Sequence, residues 1–177
     1  ELMRRTVRQA VPDAPREFRV FWRDENIELT SRDLAGVRRQ LLSQGKRNRV
    51  LPRVPQALLD VMWRQVRGER GREQGRERFV DHMLDDQQFL DFVRAWWPPL
   101  DATEVLGWLA DPELLARVGE GVLSQEDRAL LSKSWSTDVA PGRRGRDWSV
   151  EDVPLIDELR YALGDLPEKT DDEEDPL

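Results

Sequence analysis

Apolar residues recur every three or four positions along most of the chain, and this spacing restricts the fold more than any other feature of the sequence. Leu34, Val37 and Leu41 follow it, as do residues within 58–66 and 79–97. Because an α-helix turns once in about 3.6 residues, this spacing places the apolar side chains on one helical face. The pattern predicts a mostly α fold, an irregular helical domain built from short helices.

One stretch near the N-terminus departs from the helical period. Phe18, Val20 and Trp22 alternate with charged residues, and a second alternating stretch follows a turn placed at residues 24–26. A period of two is typical of β-strands, so one small β-hairpin is predicted near residues 17–30. Because an isolated hairpin is marginal in water, its apolar face is expected to pack on a helix.

Capping and helix-breaking residues mark the predicted helix ends. Thr30 or Ser31 can cap the helix after the hairpin, and Ser124 and Ser149 each precede an aspartate by three positions, as in a capping box. Pro154 removes a backbone donor in the first turns of the last helix, so that helix is expected to begin later or to bend.

The stretch GERGREQGRER at residues 68–78 is strongly polar and contains three glycines. Each glycine inside a helix costs about 1 kcal/mol relative to alanine. The stretch is therefore either an exposed, weakened helix or a flexible arm, and mobility is expected there.

Length and composition limit the class of protein. With 177 residues the chain can form one helical module over residues 1–164, or two lobes at 1–78 and 79–164. The chain has no cysteine and one histidine, which excludes disulfides, thiolate catalysis and the usual zinc ligand sets.

No apolar run is long enough to span a bilayer, so we expect no membrane association and a cytoplasmic location. The acidic tail at 165–177 is predicted to be disordered.

Charge is arranged in blocks. Residues 38–78 hold 12 basic against 4 acidic side chains, and residues 79–127 hold 2 against 11. Such polarity favours a module that meets a partner surface of mixed charge over one that wraps nucleic acid along its whole length, although each block can equally be a solvated helix face.

Catalytic motifs are missing from the sequence. It contains no phosphate-binding loop of the GxxxxGK[ST] type, so no cofactor is expected in this chain and it is predicted not to be an enzyme. Residues 153–158 (VPLIDE) imitate a Walker B strand, but their helical spacing favours a helix. His82 lies among acids that could hold a metal, yet a solvated acidic face is the favoured interpretation. The seven tryptophans are expected to pack in the core more often than to stack on bases.

A loop over residues 135–147 (WSTDVAPGRRGRD) is the favoured partner-binding segment. Proline and glycine punctuate it, and two capped helices flank it, so its ends would be held. Its Gly142–Gly145 stretch has the outline of a KH-domain loop, but the rest of that fold is missing. The side chains predicted to bind a partner are Asp138, Arg143, Arg144, Arg146, Asp147 and Trp148.

Three segments of the second half, taken in order, resemble the HelD family of actinobacterial helicase-like proteins, relatives of UvrD and Rep. They are residues 97–109 (WPPLDATEVLGWL), 123–131 (LSQEDRALL) and 148–159 (WSVEDVPLIDEL). The first half is similar to the family more loosely, through its hairpin leading into a helix. A start at Glu1 instead of Met also suggests a piece of a longer protein.

The resemblance implies a helical insertion in the first RecA-like domain, between the phosphate-binding loop and the Walker B carboxylates. The parent protein would bind ATP and Mg²⁺, bind RNA polymerase and help release nucleic acid from stalled complexes. This fragment would itself be non-catalytic, with RNA polymerase and the remaining RecA-like domains as partners. The alternative is a DNA-binding accessory domain of an unwinding helicase, in which the basic block follows phosphates.

Overall fold

The computed structural model describes residues 1–135 and 148–166. Within these residues the chain forms nine α-helices, two 3₁₀ turns and one two-stranded sheet, which confirms the mostly α class. The helices are α1 (Leu2–Val7), α2 (Ser31–Gln44), α3 (Val54–Trp63), α4 (Glu69–Asp85), α5 (Gln87–Trp96), α6 (Ala102–Trp108), α7 (Pro112–Val118), α8 (Gln125–Trp135) and α9 (Val153–Leu163). The strands are β1 (Phe18–Trp22) and β2 (Glu25–Leu29).

The chain divides into two compact units. We call residues 8–98 the hairpin unit, and residues 1–7 together with the chain from residue 99 the terminal unit. The lobe boundary considered from the sequence, between residues 78 and 79, falls instead inside α4. Phe79, just past that point, packs against Trp22 and Trp63, so α4 contributes to the same core as the residues before it.

The hairpin lies where the alternation predicts it. Phe18 pairs with Leu29 and Trp22 with Glu25, in antiparallel register. The turn is at Arg23 and Asp24, one residue earlier than the sequence suggested, and both have positive φ (46° and 69°), as a type I′ turn requires. This turn type twists in the same sense as the flanking strands, which keeps the hairpin short and regular.

The apolar face of the hairpin packs on helices, as predicted. The Phe18 ring lies 5.8 Å from that of Phe89 and 4.8 Å from that of Phe92, both on α5. The Trp22 ring lies 5.5 Å from that of Phe79 on α4 and is 3% exposed. Its burial leaves Trp22 unable to stack on a nucleic-acid base.

Helix α2 begins where the capping pattern places it. Thr30 is the N-cap: its Oγ1 accepts a hydrogen bond from the backbone N–H of Asp33 at 3.2 Å, and the Asp33 carboxylate accepts one from the Thr30 N–H at 2.9 Å. Gly45 ends the helix. This reciprocal capping satisfies two of the backbone donors that any helix N-terminus leaves without an intrahelical partner.

The glycine-containing stretch is a helix, which is one of the two alternatives predicted for it. It forms the first half of α4, which is broken at Gly75, where φ is 81° and ψ is 159°. The Glu25 carboxylate accepts hydrogen bonds from the backbone N–H groups of Arg67 and Gly68, at 2.9 and 2.8 Å. The first residue of β2 thereby supplies an acceptor for the backbone donors just before α4.

The terminal unit is built from α1 and α6–α9. Helix α9 packs against α6 and α1, and α8 packs against α7. Asp101 and Asp111 cap α6 and α7 through the backbone N–H groups of Thr103 and Glu113. Apolar side chains from these helices form its core: Met3, Val7, Val105, Leu106, Leu115, Val118, Ile156, Leu159 and Leu163.

The VPLIDE stretch lies in α9, not in a strand. A 3₁₀ turn (Val150–Asp152) precedes the helix, and Pro154 occupies its first turn, where the missing N–H has no intrahelical partner to lose. The expectation of a late helix start is confirmed. Asp157 and Glu158 are exposed on that helix, as surface carboxylates.

Candidate functional site

The base of the predicted partner-binding loop is visible in the terminal unit. Helix α8 ends at Trp135, whose indole Nε1–H donates a hydrogen bond to Asp152 Oδ1 at 3.3 Å. The other carboxylate oxygen of Asp152 accepts from the backbone N–H of Ser149 at 2.9 Å and from its hydroxyl at 3.0 Å. One carboxylate therefore joins Trp135, the first residue of the predicted loop and the last of α8, to the turn that begins at Ser149.

Hydrogen bonding keeps this carboxylate ionised. Burial is the largest single influence on the pKa of Asp152 and acts to raise it. The hydrogen bonds from the Ser149 backbone, the Trp135 indole and the Ser149 hydroxyl together outweigh burial and hold the pKa below its ordinary value. The link between the two loop ends is therefore charge-assisted at neutral pH.

Of the side chains predicted to bind a partner, only Trp148 belongs to the part that the structure describes. It is half-buried beside the Ser149 cap. Five others lie outside the described residues, and their role stays a prediction: Asp138, Arg143, Arg144, Arg146 and Asp147. The acidic tail also lies outside them from residue 167 onwards.

The basic block belongs to the hairpin unit, and part of its charge is used internally. Arg70 pairs with Asp24 at 2.9 Å, and Arg76 pairs with Asp60. Arg72 Nε donates to the Val66 carbonyl at 2.9 Å. Other members of the block are exposed, among them Arg39, Arg64 and Arg67. Exposed guanidinium groups of this kind can contact either phosphates or carboxylates.

A second cluster of the hairpin unit joins two arginines to two tryptophans at the end of α5. The Arg47 guanidinium carbon lies 4.2 Å from the centre of the Trp97 ring, and the Trp97 indole N–H donates to the Arg47 carbonyl at 3.2 Å. The Arg38 guanidinium carbon lies 5.9 Å from the centre of the Trp96 ring. The two indole rings are 5.3 Å apart. We call these four residues the Arg–Trp cluster.

Arg47, Trp96 and Trp97 are buried, Arg38 is half-buried, and Arg47 keeps its charge. Arg47 is 1% exposed, and burial, with a further contribution from the charge of Arg38, lowers its pKa to about 10. Burial also lowers the pKa of Arg38. Because a pKa of about 10 is well above neutrality, Arg47 remains cationic at pH 7, and its position over the Trp97 ring offsets part of the desolvation.

Sequence reasoning missed this cluster. It placed Arg47 in the basic block at residues 38–78 and Trp97 in an apolar series, and the two residues are 50 positions apart in the chain. The one local signal is the Trp96-Trp97 doublet ahead of two prolines. Because consecutive helical residues point in different directions, the two rings cannot both face the same part of the core.

The described residues offer less support for a metal site, a ligand-binding groove or a membrane-spanning helix. In residues 1–135 and 148–166 no group of three or more His, Cys, Asp or Glu side chains could hold a metal ion, and His82 lies against Trp22, with their ring centres 5.0 Å apart. An open groove of about 560 Å³ runs between α7 and α8, lined in part by Arg128 and Lys133. No described helix is long and apolar enough to cross a membrane.

Comparison with known protein families finds no family model that matches this chain. Comparison with curated proteins finds no significant match either. A functional assignment therefore depends on the residues themselves and on the resemblance of the three segments.

Proposed function

We propose that this chain is a non-catalytic insertion module of an ATP-dependent, HelD-type helicase-like protein, and that it contacts RNA polymerase. The module would lie in the first RecA-like domain, and the parent protein would use ATP and Mg²⁺ to help release nucleic acid from stalled complexes. The cytoplasm is the location that this role requires.

The observation that carries the proposal is the order of three segments, at residues 97–109, 123–131 and 148–159. Each includes the start of a capped helix: Asp101 caps α6, Ser124 precedes α8 with its side chain bonded to Asp127, and Ser149 caps the turn before α9. The resemblance therefore involves residues that define local structure. Such residues support a family relation through fold, and they carry no catalytic role.

The two-unit helical architecture is compatible with this proposal. An insertion that reaches a partner needs a stable scaffold and charged surfaces, and loops held at both ends by a scaffold are common binding segments. The hydrogen bond between Trp135 and Asp152 supplies such an anchor for the predicted loop.

The test is direct binding of this chain to actinobacterial core RNA polymerase, measured by biolayer interferometry. We expect saturable binding that weakens when Arg143, Arg144 and Arg146 are replaced together by serine, because charged groups at an interface contribute both to affinity and to its salt dependence. Thermal stability should change by less than about 1 kcal/mol, since exposed ion pairs contribute little.

The matched control replaces three exposed arginines of the terminal unit outside the loop: Arg4, Arg117 and Arg160. It removes the same charge and should retain most of the affinity. Absence of polymerase binding by the unsubstituted chain would refute the proposed function. Equal losses of polymerase affinity in the two triple variants would refute the role of the loop.

The exposed arginines of the basic block favour one other function, a DNA-binding accessory domain. If Arg39, Arg64 and Arg67 follow phosphates, affinity for a DNA duplex should fall steeply with salt. Replacing them should reduce the slope of log affinity against log salt by about one for each phosphate that is no longer neutralised. Binding to polymerase without measurable binding to duplex would exclude this alternative.

A further inference from the structure

The Arg–Trp cluster contains hydrogen-bond donors for which the hairpin unit supplies no acceptor. The side-chain nitrogens Nε and Nη1 of Arg47 and Nε1 of Trp96 are buried, and none of them has a hydrogen-bond partner. Buried polar groups are ordinarily paired, because an unpaired group loses its hydrogen bonds to water without replacement. These three donors are therefore available to an acceptor from outside the hairpin unit.

The charge of the cluster points to the kind of acceptor. Arg38 and Arg47 lie close enough that the charge of one lowers the pKa of the other, and neither forms an ion pair with any acid in the part of the chain that the structure describes. The ring faces of Trp96 and Trp97 attract the guanidinium charge but provide no conventional lone-pair acceptor for the N–H groups. An anion would satisfy both the charge and the donors.

We propose that the Arg–Trp cluster binds the carboxylate of an Asp or Glu side chain from a partner protein. The burial of the two indole rings favours a carboxylate over nucleic acid as the ligand. Trp96 and Trp97 are 2% and 1% exposed, so neither can stack on a base, and base stacking on aromatic side chains is a main contribution to the binding of single-stranded nucleic acid. A carboxylate can pair with guanidinium groups and needs no exposed ring.

Access is through Arg38. It is half-buried, whereas Arg47 is fully buried, so Arg38 lies on the solvent side of the pair. The proposal requires that the long Arg38 side chain turn aside so that the carboxylate reaches Arg47. The proposal stands on this geometry and does not require that the partner be RNA polymerase.

The experiment uses the full chain and a capped peptide of four glutamates. Binding is measured by calorimetry, and the side-chain N–H signals of Trp96 and Arg47 are followed by NMR. We expect saturable binding with shifts of both signals, and a loss of about thirtyfold or more in affinity for Arg38→Gln and Arg47→Met, as for truncation of one side of a buried charge pair. A peptide of four glutamines should not bind.

The matched control is Arg39→Gln, which removes the same charge from the next, exposed position of α2. It should weaken binding by no more than about twofold. If Arg47→Met does not fold, the half-buried Arg38→Gln variant carries the test alone. Unchanged peptide affinity in the folded variants, or an equal loss in Arg39→Gln, would overturn the proposal.

Two further probes separate carboxylate from phosphate. Inorganic phosphate and a single-stranded thymidine dodecamer are titrated at the same concentrations as the peptide. Weaker shifts of the Trp96 and Arg47 signals with these probes support the carboxylate. If either phosphate probe shifts the same signals more strongly, the site binds phosphate and the proposed ligand is wrong. If no probe moves these signals, the cluster is solely structural and the proposal fails.

Discussion

Replacing Gly71 by alanine should destabilise the hairpin unit, although alanine is the better helix former. A Cβ at this position would lie 2.8 Å from Val66 Cγ1, 3.1 Å from Glu25 Oε2 and 3.3 Å from Trp22 Nε1. Val66 is fully buried and branched at Cβ, so it has little freedom to move away. The crowding would occur where the hairpin turn meets the start of α4.

The magnitude follows from two opposing effects. Forcing an extra methyl group into a packed core costs about 1–3 kcal/mol, and alanine in place of glycine in a helix returns up to about 1 kcal/mol. We expect a net loss of about 1–2 kcal/mol in the free energy of unfolding. For a chain of this size that corresponds to a fall in Tm of about 2–8 °C.

The matched control is Gly36→Ala in α2. There the nearest atom to the new Cβ is Arg39 Nη2 at 4.0 Å, so no crowding opposes the gain in helix propensity. Gly36→Ala should raise stability by about 0.5–1 kcal/mol. Urea unfolding followed by tryptophan fluorescence measures both variants. If Gly71→Ala is as stable as Gly36→Ala, the close packing of Gly71 against Val66 and Glu25 is refuted.

Three other predictions concern backbone strain and capping. Gly75→Ala should cost about 1–3 kcal/mol in urea unfolding through its φ of 81° alone, because no atom lies within 4 Å of the new Cβ; an unchanged midpoint would contradict this. The Thr103 hydroxyl holds the pKa of Asp101 below its ordinary value. The ionised Asp101 carboxylate therefore stabilises the folded state fully above about pH 3.9. This stabilisation is lost as the pH falls through the lowered pKa. Asp101→Asn keeps a capping oxygen but removes the charge, so it should destabilise the chain at pH 7, and the difference in unfolding free energy should narrow towards about pH 3; a difference that stays constant with pH would contradict the contribution of the ionised carboxylate. Trp135→Phe should raise the pKa of Asp152, measured by carbon NMR of the carboxyl, and an unmoved titration would exclude the hydrogen bond between them.

Local patterns in the sequence predicted much of the fold. The hairpin, the Thr30 cap and the late start of α9 all depend on residues within a few positions of one another, so alternation, capping spacing and proline placement were sufficient to find them. The glycine-containing stretch at 68–78 left two alternatives open because its own propensity is weak. Helix formation there accompanies packing of Gly71 and Phe79 against the hairpin, which no local pattern encodes.

Of the two candidate sites, local sequence patterns predicted one and did not predict the other. The composition of residues 135–147 predicts a loop, and the structure adds the hydrogen bond from Trp135 to Asp152, which links the described residues on either side of that stretch. The Arg–Trp cluster was absent from the sequence-based expectations. An arginine in a basic block is ordinarily a solvated side chain, and only packing reveals that Arg47 is buried.

The sequence by itself determined the helical class, the position of the hairpin and most helix ends, because these depend on hydrogen bonds and side-chain spacing within about four residues. Tertiary structure alone decided that Glu25 accepts hydrogen bonds at the start of α4, 43 positions away, and that Arg47 lies on Trp97, 50 positions away. It also decided that the compact units divide after residue 98. The physical reason is that burial and pairing of a side chain depend on which distant segments pack against it, and the apolar faces of short helices allow many such arrangements.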